Sequence, residues 1–332
     1  MTYQQYGTIQ ASDYNNYVGN TTTSVANTLN AVLAIGNGRS GLGQTAVAQV
    51  TGNDANVKVT NEQWNFLINN LQNLANHQGS TITPISTTSD GQLISAYMTV
   101  TTPVTSIFAN NLTTVFTNRN NAAAQGTTQT NTRTNPSAWN NICTFTHTIT
   151  FESGDKARYF FNAGGQFALS FSHPAGTNMN NLWNNLAAAC GTINISAVNS
   201  GTQTIAGTVF NGVTRTGGSG NVTTLASNTG YYAFTSSDQT LFKMTATVGP
   251  SGYLSSFIEV KAKTNGTQGS NGDAGSIVTL TTIFDSSPNG GGTTLGQTGA
   301  DSAVTCVIRN PSSSYVSPTW GNVTISSSVT SS

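Results

Sequence analysis

From Cys143 the chain alternates strictly. Cys143, Phe145, His147, Ile149 and Phe151 are separated by Thr144, Thr146, Thr148 and Thr150. A period of two predicts a strand with one buried face and one threonine face. A turn at Ser153-Gly154-Asp155 follows, then a strand-like run from Arg158 through Phe160 and Phe161 to Asn162, a Gly164-Gly165 turn, and another alternating run over 166–172. Met179, Leu182, Trp183 and Leu186 then adopt helical spacing, with Gly191 as the stop, so a helix starts near Thr177. Further strands are predicted over 192–198, 204–213, 231–235, 240–248, 254–263, 276–284 and 303–309. Gly-rich clusters at 217–220, 249–252, 265–275 and 289–292 separate several of them. The Ser- and Thr-rich tail, 321–332, is either a last edge strand or a strand for a neighbouring subunit.

The first third follows a different period. Thr60 and Gln63 form a capping-box pair, Trp64, Leu67, Ile68, Leu71 and Leu74 make a helical stripe, and Gly79 ends it. Ser12 caps an earlier helix whose face carries Tyr14, Val18, Val25, Leu29 and Val32, ending at Gly36. Residues 37–51 form a Gly-rich connection, with 46–50 extended. Pro103 opens a third helix through Val104, Ile107, Phe108, Val115 and Phe116, ending near Arg119. Residues 120–136 are polar and poor in apolar side chains, which predicts a linker. The expected fold is therefore α+β. A helical N-terminal domain (1–119) and the linker precede an antiparallel β-sandwich-like domain (137–332) with one covering helix. No fixed-period repeat and no sustained heptad is present.

Composition changes the picture in one respect. Only 7% of residues are charged, against about 25% in ordinary soluble proteins. Lys plus Arg equals Asp plus Glu at 11 each, so the formal net charge is zero. Such a surface protects poorly against association, which suits a subunit that sits among copies of itself. An extracellular β-protein kept in solution by hydroxyls and amides is the plainer reading. The start lacks the basic and apolar regions of a leader, and no apolar run is long enough to span a bilayer. Cys143, Cys190 and Cys306 are widely spaced and odd in number, which argues against a disulfide framework or zinc site, and Cys143 and Cys190 read as buried small hydrophobes.

The grouping over 135–191 resembles a module of virion structural proteins, fibre or tail-associated, of tailed phages infecting cyanobacteria and other marine bacteria. Trp139, the Thr-rich strand, Ser153-Gly154-Asp155, the run from Ala157 to Gly165, and Trp183 carry the resemblance. Gly41 to Gln44, Val59 to Trp64, Asn76 to Gly79 and Asn118 to Asn121 extend it upstream. Nothing C-terminal to this module resembles the family. The resemblance implies a virion location after assembly in the host cytoplasm, other virion proteins as partners, and three-fold symmetry as a natural arrangement of a homo-oligomer.

Candidate chemistry is sparse. His147 lies in the apolar row of its strand, His173 precedes Pro174 at a strand end, and His77 ends the Trp64 helix, so each has a structural explanation. Glu152 and Asp155 are the nearest pair of acids and would be the residues of a glycoside hydrolase. Their neighbours Lys156 and Arg158 offer local ion pairing instead. Gly36 to Gly41 lacks the Lys-Ser/Thr ending of a phosphate loop, Lys261 and Lys263 sit on a solvated strand face, and no basic patch suggests nucleic acid. Asn111-Leu112-Thr113 and Asn221-Val222-Thr223 match the glycosylation triplet, which a chain this rich in Asn and Thr produces by chance.

The expected function is a non-enzymatic structural subunit of a tailed-phage virion, in a tail, neck, baseplate or fibre. It would act by self-assembly and docking, with no catalytic residue, cofactor, metal, nucleic acid or membrane. The second expectation is a receptor- or carbohydrate-binding module that contacts a host surface glycan. Tyr231, Tyr253, Tyr315 and Trp320, with Tyr232 beside the first, are its candidate ligand contacts because aromatic rings near turns can stack on sugar faces.

Overall fold

A computed structural model describes residues 11–51, 58–90, 107–176, 178–198, 201–266, 269, 271–286 and 298–332. The predicted start of the third helix at Pro103 and Val104, the helix start at Thr177 and the turn at 289–292 lie outside these residues.

The capping box forms as the sequence predicts. Thr60 accepts from the Gln63 backbone N–H at 3.2 Å, and Gln63 Oε1 accepts from the Thr60 N–H at 2.9 Å. Helix α3 (Asn61–Gln78) ends at Gly79, whose φ of 72° is the left-handed cap. The expected first helix is instead two, α1 (Ala11–Val18) and α2 (Leu29–Leu33). The break falls at Gly19, at φ 79°, where an added Cβ would run into the Thr28 side chain. Val25, expected on the buried face, is exposed. Helix α4 (Ile107–Thr117) completes the set, burying Phe108, Leu112 and Val115. Tyr17, Trp64 and Phe108 meet ring to ring at 4.8–6.4 Å, one from each of α1, α3 and α4.

The stretch read as a linker is a strand. β1 (Gln125–Thr134) pairs antiparallel with β12 (Ala303–Pro311), Thr130 opposite Val307 and Thr134 opposite Ala303. Its half-buried positions carry Gln129, Asn131 and Arg133, so the usual apolar alternation is missing. β2 (Ile142–Thr150) keeps the predicted alternation, with Cys143, Phe145, His147 and Ile149 buried. The strand-like run at 158–162 belongs instead to helix α5 (Gly154–Asn162), where Ser153 accepts from the Lys156 N–H as N-cap. Helix α6 (Met179–Cys190) follows β3 (Gln166–Ser172) as predicted.

Two antiparallel sheets organise the rest. One has the order β1-β12-β3-β4-β7, with β4 spanning Thr192–Ile195 and β7 Val213–Thr216. The other runs β13-β2-β11-β10-β9-β8, with β13 (Thr324–Ser331), β11 (Ile277–Asp285), β10 (Phe257–Thr264), β9 (Gln239–Thr245) and β8 (Thr224–Leu225). The tail thus ends as an edge strand on β2. The predicted strand at 204–213 is a small hairpin, β5 (Gln203–Ile205) and β6 (Thr208–Phe210), turning through Ala206 and Gly207 at positive φ. The predicted strand at 231–235 begins as a 3-10 turn, Tyr231–Ala233. The chain is therefore a mixed α+β structure with antiparallel sheets.

Phe171 of β3 stacks on Phe242 of β9 at 6.4 Å, so the apolar faces of the two sheets meet. α6 packs on β3 of one sheet and on β9 and β10 of the other. One apolar cluster runs without a break from Tyr14 and Trp64 through Phe160 to Phe284 and Trp320.

Candidate functional site

Three places gather side chains with chemical capacity. The first is a polar chain between β3, α6 and the start of β12. Trp139 Nε1–H donates to Ser302 Oγ at 3.1 Å, and Ser302 Oγ lies 2.9 Å from His173 Nδ1. His173 Nε2 lies 3.2 Å from Asn180 Oδ1. That oxygen also accepts the Gly299 N–H at 2.7 Å, so it is an acceptor and His173 Nε2 must donate to it. Nδ1 then accepts the Ser302 hydroxyl proton. Burial holds the His173 pKa below the ordinary imidazole value, which keeps this neutral tautomer.

A hydroxyl bonded to a histidine that an amide orients is the arrangement of a nucleophilic triad. Here Ser302 is wholly buried, already accepts from Trp139, and lies beside the packed Trp139–Trp183 ring pair at 5.1 Å. With no exposed surface of its own, Ser302 has no contact with solvent. The chain of bonds ties the strand end to the helix. The sequence places His173 at a strand end before Pro174 and gives no sign of its partners, because Ser302 and Asn180 are brought together only by the fold.

The second place is the loop after α2. Arg158, buried in α5, donates to the carbonyls of Gly36 and Ser40 and lies 3.4 Å from Asp155. Asn162 Nδ2 reaches Gly38, Ser40 and Gly41 carbonyls, while Tyr232 Oη–H lies within bonding distance of Gly38 O and Asn162 Oδ1. The six-residue Gly-rich segment is thus an anchored loop. The predicted acid pair divides between separate neighbours: Glu152 accepts the Asn322 N–H at 3.1 Å, and Asp155 accepts from Asn271 Nδ2 and Arg158.

The third place is the surface. Burial removes most of the predicted ligand contacts from it. Tyr231 is fully buried, stacked on Phe161 at 4.4 Å, with its hydroxyl donating to Gly275 O. Tyr232 and Tyr253 are also buried. Trp320 is almost covered and forms part of the wall of a neutral groove of about 560 Å³ with Gln129, Ser314 and Asn322. Tyr315 alone of the set is exposed, at 48%. It lines a depression of about 220 Å³ that also contains Phe66, which sequence reading had not singled out.

The three thiols and the other two imidazoles are inward. Burial pushes the thiols of Cys143, Cys190 and Cys306 up to about 12 and holds the His77 and His147 imidazoles down at about 4. Among the described residues, no cluster of three or more His, Cys, Asp or Glu side chains could hold a metal ion, and no helix is long and apolar enough to cross a membrane. Comparison of the chain with family models, with curated proteins and with solved structures returns no match.

Proposed function

We propose that this chain is a non-enzymatic structural subunit of a tailed-phage virion, a sandwich-like β unit carrying a helical N-terminal part, and that it assembles through the outer strands of its sheets. The observation that supports self-assembly is the pair of long terminal strands, β1 and β13. Each pairs with one strand only, β12 and β2 respectively, and the two lie beside each other on the same side of the molecule. β13 contains no charge and no proline, and β1 carries a single charge at Arg133. Exposed edges in soluble monomers are usually guarded by lysines, prolines or bulges. Here the guard is a single register shift near Gln125 in β1.

Two rows of the outward face next to that edge are also uncharged. Ser328 lies opposite Thr146, which lies opposite Thr281, and Ser326, Thr148 and Thr279 form the next row. Charges appear at Asp285, the last residue of β11, and one strand further on at Glu259, Lys261 and Lys263. A partner meeting these rows desolvates hydroxyls and backbone groups but no ions, which keeps the cost of the contact low. The sequence resemblance supplies the virion setting, the host-cytoplasm assembly and the neighbouring virion proteins as partners.

Light scattering on the purified chain tests the reading. The native protein is expected to form a closed oligomer, and Ser326→Lys with Ser328→Lys to reduce its mass by placing charges along β13. A wild-type protein that remains a dilute monomer and binds no other virion protein would sink the assignment.

A further inference from the structure

Among the described residues only two large aromatic side chains are exposed, Phe66 and Tyr315, at 51% and 48%. They belong to distant parts of the chain and line the same depression. Phe66, Asn70 and Asn73 stand at successive turns of α3, with Phe66 and Asn73 exposed, while Tyr315 comes from the segment between β12 and β13.

The floor is rigid. Gln44 Oε1 accepts the Ser317 N–H at 2.8 Å, and its Nε2 donates to Ser317 O at 2.9 Å. This two-point bond fixes the loop after α2 against the segment that presents Tyr315. Asn70 Nδ2 is used by the Phe66 carbonyl at 2.8 Å, whereas Asn73 has no side-chain bond to any described residue. No charged side chain lines the depression.

We propose that this depression binds a neutral saccharide, with Phe66 and Tyr315 as its stacking faces and Asn70 and Asn73 as hydrogen-bonding groups. Two apolar rings beside amides and hydroxyls match the two kinds of surface a sugar ring presents, its C–H face and its equatorial hydroxyls. The volume lies below the range of sites for larger ligands, so it takes one sugar residue, with the rest of an oligosaccharide running into solvent. An acidic sugar would find no cation to pair with. The site stands apart from the virion assignment: an assembled subunit can lack it, and a monomer can have it.

The test is a binding screen of the full chain against neutral oligosaccharides of glucose, galactose, mannose and N-acetylglucosamine, with an oligouronate as the charged control. The best binder is then followed by titration calorimetry. At least one neutral oligosaccharide is expected to bind saturably and better than the oligouronate. Phe66→Ala and Tyr315→Ala should each weaken it by about tenfold, with Tyr315→Phe close to wild type. Both rings are at the surface, so these variants keep the fold. Failure of every neutral sugar to bind would overturn the proposal, as would binding that survives the double alanine variant. A change of oligomer mass in that variant, with no sugar bound by the wild type, would assign the rings to a contact between copies and overturn it equally.

Discussion

The guanidinium of Arg158 donates to the Ser40 carbonyl at 2.9 Å from a side chain only 2% exposed. It also serves the Gly36 carbonyl and lies over the Tyr159 ring at 4.6 Å, while its carboxylate partner, Asp155, remains 41% exposed. A buried cation is tolerated only when its donors are used, and here backbone carbonyls of a distant loop use them. That relationship joins the helical third of the chain to α5.

Replacing Arg158 should therefore release the loop. Arg158→Ala is expected to cost about 3 kcal/mol, because the Gly36 carbonyl loses its side-chain donor, the Ser40 carbonyl keeps only Asn162, and a buried ion site collapses. Arg158→Lys recovers only part, since an ammonium has no second donor site to reach Asp155, as Nε does, while Nη1 serves the two carbonyls. Denaturant titration gives the loss, and trypsin cleavage after Arg39 should accelerate in both variants. An unchanged cleavage rate would show that Asn162 and Tyr232 hold the loop without Arg158.

Four helices use one device. Asn15 pairs with both backbone groups of Val50, Asn30 with those of Val47, Asn65 with those of Thr88 and Asn111 with those of Thr83, at 2.8–3.0 Å throughout. Each amide satisfies one N–H and one C=O of a segment that has no strand beside it. Stretch 46–50, expected to be extended, is held in this way and forms no sheet. Alanine at any of the four should cost about 1–3 kcal/mol, most at fully buried Asn30. Hydrogen exchange should lose protection at the matching amide alone: Val47 for Asn30→Ala, Thr83 for Asn111→Ala. Burial of Asn111 also makes the Asn111-Leu112-Thr113 triplet inaccessible to glycosylation in the folded chain.

Arg215 closes the C-terminus of α6, which has no basic residue in its own last turn. Its guanidinium donates to the carbonyls of Ala189, Cys190, Ser219 and Gly220. A cation at this end also opposes the helix dipole. Arg215→Ala should lower stability by about 1–2 kcal/mol, and Arg215→Gln should restore little of it. Thermal unfolding of the two variants beside wild type decides the point; equal midpoints would leave the carbonyls to water.

Acid should destabilise the protein well above the carboxylate range. Burial holds His77 and His147 at about 4, below the value of about 6.5 in an unfolded chain. The unfolded state therefore takes up protons first. The stability linked to these residues is complete above about pH 6.5 and falls progressively as the pH drops to 4. At that limit each histidine accounts for about 3 kcal/mol. Denaturation midpoints between pH 7.5 and 4.5 should thus fall steeply for wild type and less so for His147→Leu, which fills the same apolar row. Parallel profiles would mean that His147 is already protonated or hydrated in the folded state.

Local signals fixed some elements outright. The reciprocal cap of Thr60 and Gln63, the Trp64 stripe and Gly79 are read within one helix, and the alternation of β2 within one strand, because the information lies in neighbouring residues. Tertiary contacts decided the others. β1 shows no apolar alternation since its half-buried side carries Gln129, Asn131 and Arg133, and only β12 beside it makes it a strand. α5 buries Ala157, Arg158, Phe160, Phe161 and Asn162, which blurs the helical stripe into an apolar run that reads as a strand. The aromatic candidates divided for the same reason. Tyr231 and Tyr315 both follow turn residues, yet one is stacked under Phe161 and the other is exposed on the depression that Phe66 also lines. Sequence sets which rings and amides exist and where short-range geometry places them. Exposure, and the placing of Phe66 and Tyr315 on one depression or of Ser302 against His173, depends on which distant surfaces pack, and no local pattern encodes that.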